Sequence, residues 1–197
     1  MLKIILFLIL AFFLGSVPFG YIITYIFSKE DIRKVGSGNI GATNVSRKLG
    51  IVGGIFTFLL DSFKGFLAVW ILSLVTFYPY YIGTAALLAV LGHMFTPFLS
   101  FKGGKGIATS FGVFLKIAPI PALISFLIFI IVLILFKYVS LASLISSSLF
   151  PPISYFFHLN EWYIIYSVFI CILIIIKHKE NIKRLIEKRE LKFGRKN

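Results

Sequence analysis

The sequence predicts an all-α integral membrane protein: a bundle of seven transmembrane helices with the N-terminus outside and the C-terminus in the cytoplasm. Of its 197 residues, 59% are hydrophobic and 14% are charged, and the mean hydropathy is +0.99. A typical soluble domain is about half apolar and about a quarter charged. The apolar residues also form runs close to the roughly 20 residues that a helix needs to cross a bilayer, and the positive charges fall mainly on one side of these runs.

Seven apolar runs are candidate spans, and together they indicate one membrane-embedded domain over residues 1–197. They are residues 2–27, 51–77, 79–99, 105–118, 119–137, 138–157 and 160–177. The first is too long for a signal-peptide core and has no A-x-A cleavage site, so we interpret it as an uncleaved span. The fourth is the shortest, carries Lys116 and is followed by Pro119 and Pro121, which also allows a half-span that ends in the headgroups.

The distribution of lysine and arginine predicts the orientation, because cytoplasmic loops retain positive charge. Seventeen of the 20 lie on the side opposite the N-terminus. They lie in segment 28–50, in loop 100–106, at Lys137 and in the tail from Lys177. Lys3 and Lys116 fall on the other side, and Lys64 falls within a span. An odd number of spans places the two termini on opposite sides of the membrane, in agreement with this charge asymmetry.

Composition excludes several classes of site. The net charge is +13, but most of the chain lacks the polar residues that build the solvated basic face of a nucleic-acid-binding protein. A single cysteine, Cys171, excludes a disulfide framework and a cysteine-based metal cluster. We therefore expect no nucleic-acid partner, no bound metal and no cofactor.

The first polar segment, about residues 36–50, begins with a G-x-G-x-x-G pattern. The pattern does not indicate a dinucleotide site, because that site needs a preceding strand, and a transmembrane helix precedes this one. Glycines expose backbone N–H groups, hydroxyl and amide side chains donate hydrogen bonds, and arginine binds anions with two donors. The segment therefore indicates an anion site, with a flexible loop as the alternative. Its candidate substrate-binding residues are Ser37, Gly38, Asn39, Thr43, Asn44 and Arg47.

The second segment, about residues 92–112, has three glycines around Lys105, immediately before an apolar helix. It is not a Walker A loop, because a leucine and a glycine stand where that motif requires a glycine and a Ser or Thr. The N–H groups of Gly103 and Gly104, a mobile cation and a helix N-terminus together favour a phosphate. The alternative is a positive-inside topology signal, which needs lysines but not glycines.

The third segment, about residues 177–190, is strongly basic. On a helix, His178, Asn181 and Leu185 share one face at i, i+3 and i+7 spacing, so we expect the two polar side chains to point into a pocket while the charges face headgroups or water. The alternative for this segment is a basic tail at an anionic membrane surface. The tail from Lys188 to Lys196 is typical of a basic segment at an anionic membrane surface.

Polar residues within the predicted spans are expected to have structural or secondary roles, with a direct catalytic role for Asp61 and Lys64 as the alternative. Asp61 and Lys64, three residues apart in the second span, are expected to pair, which lowers the cost of placing charges in the membrane. His93, at the end of the third span, is as consistent with a structural role as with a ligand contact. The sixth span has a polar stripe at helical spacing that either packs helices or lines the pocket. The stripe consists of Ser140, Ser143 and Ser147.

Three sequences taken in order, GSGNIGATNVSR, GHMFTPFLSFKGGKGIATSFG and HKENIKRL, closely resemble the bacterial acyl-phosphate:glycerol-3-phosphate acyltransferases, the PlsY family. The run DSFKG from Asp61 also resembles the second-span pattern of that family. The resemblance extends over nearly the whole chain. Departures such as Thr96 before Pro97 and Gly106 after the lysine remove no group that the chemistry needs.

The resemblance implies transfer of an acyl chain from a long-chain acyl phosphate, not from acyl-CoA, to the 1-hydroxyl of sn-glycerol 3-phosphate. The products are lysophosphatidic acid and inorganic phosphate, in the first committed step of phospholipid synthesis. The resemblance also implies a multi-pass protein of the bacterial plasma (inner) membrane, in contact with membrane lipid, with its active site on the cytoplasmic side. A functional link to an enzyme that forms acyl phosphate follows from the family.

The chain lacks the H-x-x-x-x-D pair of other glycerolipid acyltransferases, since neither aspartate has a histidine five residues before it. Acyl phosphate is already activated, so positioning and charge neutralisation are enough for catalysis. We therefore hypothesise that Arg47 and Lys105 clamp the phosphates. His178 and Asn181 would orient glycerol 3-phosphate.

Two other classes of function are alternatives. A small-anion or organophosphate transporter also needs basic residues, but its site lies near the midplane, whereas the candidate anion groups gather at one face. A non-catalytic lipid-binding or scaffolding protein explains the basic tail but not the two glycine-rich loops.

Overall fold

The computed structural model describes residues 1–194, which form nine α-helices. The helices are α1 (Leu2–Ser16), α2 (Phe19–Ser28), α3 (Ala42–Ser73), α4 (Pro79–Met94), α5 (Ile107–Ile117), α6 (Pro119–Phe136), α7 (Val139–Phe156), α8 (Glu161–Lys177) and α9 (Lys179–Ile186). Short 3₁₀ turns at Ile32–Lys34 and Pro97–Leu99 precede α3 and α5. Arg195 and Lys196 of the predicted basic tail lie outside the described residues.

The first predicted span consists of two helices, because Pro18 lacks the N–H donor that would continue α1 into α2. At the break, the carbonyl oxygen of Val17 accepts a hydrogen bond of 2.6 Å from Nζ of Lys64 in α3. Backbone groups within a membrane need such partners, since lipid offers none. A lysine side chain therefore stabilises the break between α1 and α2.

The helix that carries the second predicted span, α3, begins at Ala42 and bends at Gly50, whose φ is 79°. Glycine adopts this left-handed conformation readily because it has no Cβ. The second half of the first polar segment, with Thr43, Asn44 and Arg47, is therefore helical and belongs to α3.

Glycines allow close contacts between helices, as is common in membrane proteins. A Cβ on Gly15 of α1 would lie 2.0 Å from the carbonyl oxygen of Ala89 in α4. A Cβ on Gly112 of α5 would lie 1.8 Å from the carbonyl oxygen of Ser62 in α3. These contacts hold α1 against α4 and α3 against α5, and the buried core runs along α4.

Within residues 1–194, five helical segments have the length and apolar composition to cross a membrane. The pair α8 and α9, bent by 59°, is a sixth if taken as one span. The fourth predicted span corresponds to α5, which has 11 residues. At about 1.5 Å per residue, α5 is shorter than a hydrocarbon core of about 30 Å. The all-α membrane architecture is confirmed, whereas the count of seven, the single domain and the sides of the termini stay predictions.

Candidate active site

The three polar segments meet around one cavity of about 630 Å³. Helices α3, α5, α6, α7 and α8 surround it, and part of its wall is formed by Arg189, Glu190, Leu191 and Phe193. Its polar end includes side chains from all three segments: Ser37, Thr43, Arg47, Lys105, His178 and Asn181. The fold therefore brings together the four residues for which the sequence predicts catalytic roles.

A chain of hydrogen bonds ties Lys105 to the third segment. Nζ of Lys105 donates to Oδ1 of Asn181, and Nδ2 of Asn181 donates to Oε1 of Glu190 over 2.6 Å. The Glu190 carboxylate also accepts from Ser140 Oγ over 2.8 Å and from Arg184 Nε over 2.7 Å. Burial raises the pKa of Glu190, but the hydrogen bonds from its three partners outweigh burial and lower that pKa overall. An ionised Glu190 therefore organises the polar end.

Burial makes the charged form of Lys105 only moderately stable. Burial lowers the pKa of Lys105 to about 8, with Glu190 raising it and Arg184 and Arg47 lowering it further. The ammonium form therefore predominates at neutral pH. An anion bound beside Lys105 stabilises that form, which makes this lysine well suited to holding a phosphate.

The imidazole of His178 is neutral and presents an acceptor. His178 lies between α8 and α9, beyond the end of the apolar helix, and is 3% exposed. Its Nδ1 lies 2.8 Å from the carbonyl oxygen of Ile174, and since a carbonyl only accepts, Nδ1 carries the proton. Burial and the charge of Lys105 lower the pKa of His178 to about 4. Nε2 is therefore unprotonated at neutral pH and can accept a hydrogen bond.

The side chain of Asn44, which is 1% exposed, fixes the conformation of the first segment. Its Oδ1 accepts a hydrogen bond of 3.0 Å from the N–H of Ser37. Its Nδ2 donates to the carbonyl oxygens of Ile32, Val35 and Asn39 at 3.2, 2.8 and 2.9 Å. The segment is therefore an ordered loop rather than a flexible one, and the amide of Asn44 is used to build it.

Three other residues of the first segment are available at the cavity. Thr43 and Arg47 lie one turn apart on α3, and both line the cavity together with Ser37. Asn39 lines it too, but its Oδ1 accepts from the N–H of Gly41 over 2.9 Å in a turn before α3. The hydroxyls of Ser37 and Thr43 and the guanidinium of Arg47 are thus side-chain donors of this segment that remain available at the cavity.

Among residues 1–194, the cavity lining does not include Gly38, Gly103 or Gly104. The N–H groups of Gly103 and Gly104 donate to the carbonyl oxygens of Met94 and His93 at 3.3 and 3.0 Å, and that of Gly38 donates within its own loop over 3.0 Å. A Cβ on Gly104 would lie 2.1 Å from Nε2 of His93. The N–H groups of these glycines therefore fold their loops and do not form the phosphate cradle that was expected of them. Gly103 and Gly104 also set the position of the loop that carries Lys105.

The ion pair expected between Asp61 and Lys64 is confirmed, with 2.7 Å between Oδ1 and Nζ. Both residues and His93 are buried. Nζ of Lys64 also lies 2.9 Å from Nδ1 of His93. The cluster thus connects the break after α1 with the loop that carries Lys105, and Asp61 and His93 also line the cavity.

The serine stripe of α7 lines the cavity, as one of its two interpretations requires. Its members are Ser140, Ser143 and Ser147. Beyond this polar strip, the lining is mostly apolar and includes Phe58, Phe111, Phe114, Phe126, Phe129 and Phe150. The cavity is therefore amphipathic, with cations at one end and aromatic side chains further in.

A profile of the glycerol-3-phosphate acyltransferase family matches residues 5–188 of the chain. The chain belongs to this family. A glycerol-3-phosphate acyltransferase from Endomicrobium trichonymphae is 43% identical over 194 residues, which cover 98% of this chain and 97% of the relative. Another, from Fusobacterium nucleatum subsp. nucleatum, is 42% identical over 187 residues, which cover 95% of this chain and 96% of the relative. The resemblance inferred from the three motifs is confirmed.

Two crystal structures of PlsY (YgiH), an integral membrane glycerol 3-phosphate acyltransferase, share the fold. Its glycerol 3-phosphate form matches with a TM-score of 0.93 and 39% identity, covering 98% of this chain and 96% of that one. Its lysophosphatidic acid form matches with a TM-score of 0.90 and 38% identity over the same shares of the two chains. The helical bundle is thus that of an integral membrane family.

Beyond Lys188, the structure differs from the membrane-surface tail that the composition predicts. Glu190 and Leu191 line the cavity, and the N–H of Phe193 donates to the carbonyl oxygen of Lys137 over 2.7 Å. The signal in the sequence is the alternation of apolar residues with charges after residue 188, which a purely electrostatic tail does not need. Sequence reasoning missed Glu190 because most of its neighbours are cations.

Proposed function

We propose that this protein is an acyl-phosphate:glycerol-3-phosphate acyltransferase. It transfers an acyl chain to the 1-hydroxyl of sn-glycerol 3-phosphate and yields lysophosphatidic acid and inorganic phosphate, for phospholipid synthesis. The observation that carries the proposal is a single cavity with phosphate-binding side chains at one end and an apolar lining further in. A phosphate head with one acyl chain matches both parts of such a cavity.

Two cations suit the two phosphates that the substrates bring. Arg47 and Lys105 both line the cavity, and the charge of Arg47 adds to burial in lowering the pKa of Lys105. Bound phosphate relieves the repulsion between them. Arginine binds phosphate with two donors and lysine binds it as a point charge, so together they clamp the phosphates and stabilise the charge that develops on the leaving group.

The chemical step needs positioning more than acid–base catalysis. The 1-hydroxyl attacks the acyl carbonyl carbon, the bond from that carbon to the phosphate oxygen breaks, and the hydroxyl proton passes to an oxygen of the phosphate that leaves. His178, with a pKa of about 4, is too weak a base to retain this proton at neutral pH. Its Nε2 instead accepts the hydrogen bond that orients the hydroxyl, and Asn181, fixed by Lys105 and Glu190, holds glycerol 3-phosphate beside it. Because acyl phosphate is already activated, the proposed step uses no metal and no cofactor.

We propose that the site faces the cytoplasm, in the plasma (inner) membrane of a bacterium. The charge pattern predicts one side of the membrane for the segments that contain Arg47, Lys105 and His178, and these residues meet at one end of the bundle. The same pattern supports seven spans with the N-terminus outside. An enzyme that forms acyl phosphate is the expected functional partner.

Turnover by the purified protein tests this proposal. Glycerol 3-phosphate is supplied with palmitoyl phosphate or with palmitoyl-CoA, and lysophosphatidic acid and released phosphate are measured. We expect product from palmitoyl phosphate alone, and product from palmitoyl-CoA would contradict the proposed donor. Folded protein that makes no product from either donor would contradict the acyltransferase. Uptake of unchanged glycerol 3-phosphate into liposomes would then favour the transporter.

A further inference from the structure

Five phenylalanines from four helices form an aromatic layer in the cavity. They are Phe58 of α3, Phe111 and Phe114 of α5, Phe126 of α6 and Phe150 of α7, and all line the cavity. The rings of Phe58, Phe111 and Phe126 pack on one another, with centroids 5.0 to 5.8 Å apart. The rings of Phe114 and Phe150 stack at 4.0 Å. Since Phe111 and Phe114 lie about one turn apart on α5, the two groups form one layer, here called the aromatic floor.

The aromatic floor lies part-way along the helices. Phe114 is seven residues beyond Ile107, where α5 begins, and Phe150 is ten residues beyond Ser140, which contacts Glu190 at the polar end. At about 1.5 Å per residue, the floor is roughly 10–15 Å from the polar end. An extended acyl chain advances about 1.3 Å per carbon, because its bonds of about 1.5 Å are set at an angle. The depth therefore accommodates about 8 to 12 carbons.

The cavity also opens sideways, between α3 and α6. Helix α3 packs mainly on α5 and α1, and α6 packs on α7 and α5. The rings of Phe58 and Phe126 join α3 to α6, and the two helices flank a cleft on the polar side of that contact. Ile51 and Ile55 of α3 line the cavity although they are 56% and 51% exposed. Phe129 and Leu133 of α6 line it on the other side. Both helices are candidate spans, so the cleft faces the hydrocarbon of the bilayer.

We propose that the aromatic floor divides the acyl chain into two parts. The first 8 to 12 carbons, by the approximate depth above, lie in the cavity against the protein. The later carbons turn at the floor and leave through the cleft between α3 and α6 into the bilayer. This inference rests on the proposed acyl transfer and adds to it the part of the donor that the protein recognises.

A bulky residue in the cleft tests the path of the chain. Ile55→Trp narrows the cleft at a lipid-exposed position, so the fold tolerates it. The ratio of the kcat/KM of the variant to that of the wild type is measured for acyl phosphates of increasing length in the same membranes, which cancels partitioning of the donor into lipid. We expect a ratio near one for chains of about eight carbons or fewer and a loss of roughly tenfold or more for longer chains, which overpacking then penalises.

Leu59→Trp is the matched control, since Leu59 lies one turn further along α3, is 55% exposed and is not among the described residues that line the cavity. Leu59→Trp is expected to leave kcat/KM unchanged for acyl phosphates of every chain length. If Ile55→Trp lowers kcat/KM equally for all chain lengths, or for none, the inference is overturned while the acyl transfer stands. If the wild-type protein transfers no acyl chain at all, both proposals fail.

Cys171 provides a measurement that does not depend on turnover. It is the single cysteine of the chain, lines the cavity and lies seven residues before His178 on α8, roughly 10 Å from the polar end. Palmitoyl phosphate, without glycerol 3-phosphate, is expected to slow labelling of Cys171 by N-ethylmaleimide, and butyryl phosphate is not. Equal protection by both donors, or protection by neither, would overturn the depth assigned to the floor.

Discussion

Nζ of Lys64 lies 2.9 Å from Nδ1 of His93, and the same nitrogen lies 2.7 Å from Oδ1 of Asp61. All three side chains are buried. The carbonyl oxygen of His93 accepts the N–H of Gly104, which precedes Lys105. A cluster that joins helices inside the bundle is therefore also the support of the lysine at the polar end of the cavity.

Replacement of Lys64 by methionine is expected to lower the free energy of unfolding by about 3–5 kcal/mol, because the buried carboxylate of Asp61 loses its partner. Replacement of both residues, Lys64→Met with Asp61→Leu, is expected to recover much of this loss, since no uncompensated charge remains. Denaturant unfolding in mixed micelles measures both. A double variant as unstable as the single one would contradict this account of the ion pair.

Replacement of Lys105 by alanine is expected to lower kcat/KM by about 10²–10³, the usual effect of losing one oriented electrostatic group. The variant is expected to remain in the membrane in normal amounts, because Lys105 lies in a loop. Lys102→Ala is the control, since Lys102 lies in the same loop, is exposed and is not among the described residues that line the cavity. Equal activity of the two variants would contradict the phosphate clamp.

The pKa of Lys105, about 8, predicts an alkaline limb in the pH profile of kcat/KM. The ammonium form predominates below that pH and is lost as the pH rises through it, so kcat/KM is expected to fall about tenfold for each further pH unit. Lys105→Arg keeps its charge throughout this range. It is expected to show a lower maximum but no such limb, and an unchanged limb in this variant would assign the titration to another group.

The pKa of His178, about 4, predicts that its imidazole stays neutral down to mildly acidic pH. The ratio of wild-type kcat/KM to that of His178→Gln is therefore expected to be constant from about pH 5 to 7, because ionisation of the substrate phosphates cancels in the ratio. Glutamine retains an acceptor near the place of Nε2, so His178→Gln is expected to be more active than His178→Ala. A ratio that changes near pH 6.5 would show that His178 titrates normally.

Hydropathy identified the helices but not their breaks. The apolar run of residues 2–27 is continuous, yet Pro18 divides it into α1 and α2, and Gly50 bends α3. Apolar composition indicates which stretch of the chain is stable in lipid. A break within that stretch depends on whether another helix supplies a hydrogen-bond partner for the free backbone groups. Here that partner is Lys64, which comes from α3.

Sequence reasoning predicted the residues of the polar end more reliably than their partners. Arg47, Lys105 and His178 stand out because few polar groups occur in so apolar a chain, and the fold brings them together. Asn44 also stands out as a donor, but its amide bonds three backbone carbonyls of its own loop. The type of a side chain determines whether it can donate or accept a hydrogen bond, whereas the tertiary structure determines which group is its partner.

The opening between α3 and α6 makes the bilayer the solvent of any lipid substrate that passes through it. For such a substrate, the relevant concentration is its mole fraction among the surrounding lipids, while glycerol 3-phosphate is counted in moles per litre of water. Addition of inert phospholipid at a constant bulk amount of acyl donor is therefore expected to slow turnover by surface dilution. Under the proposed reaction, one protein works at the boundary of two phases, and each of the two substrates has its own scale of affinity.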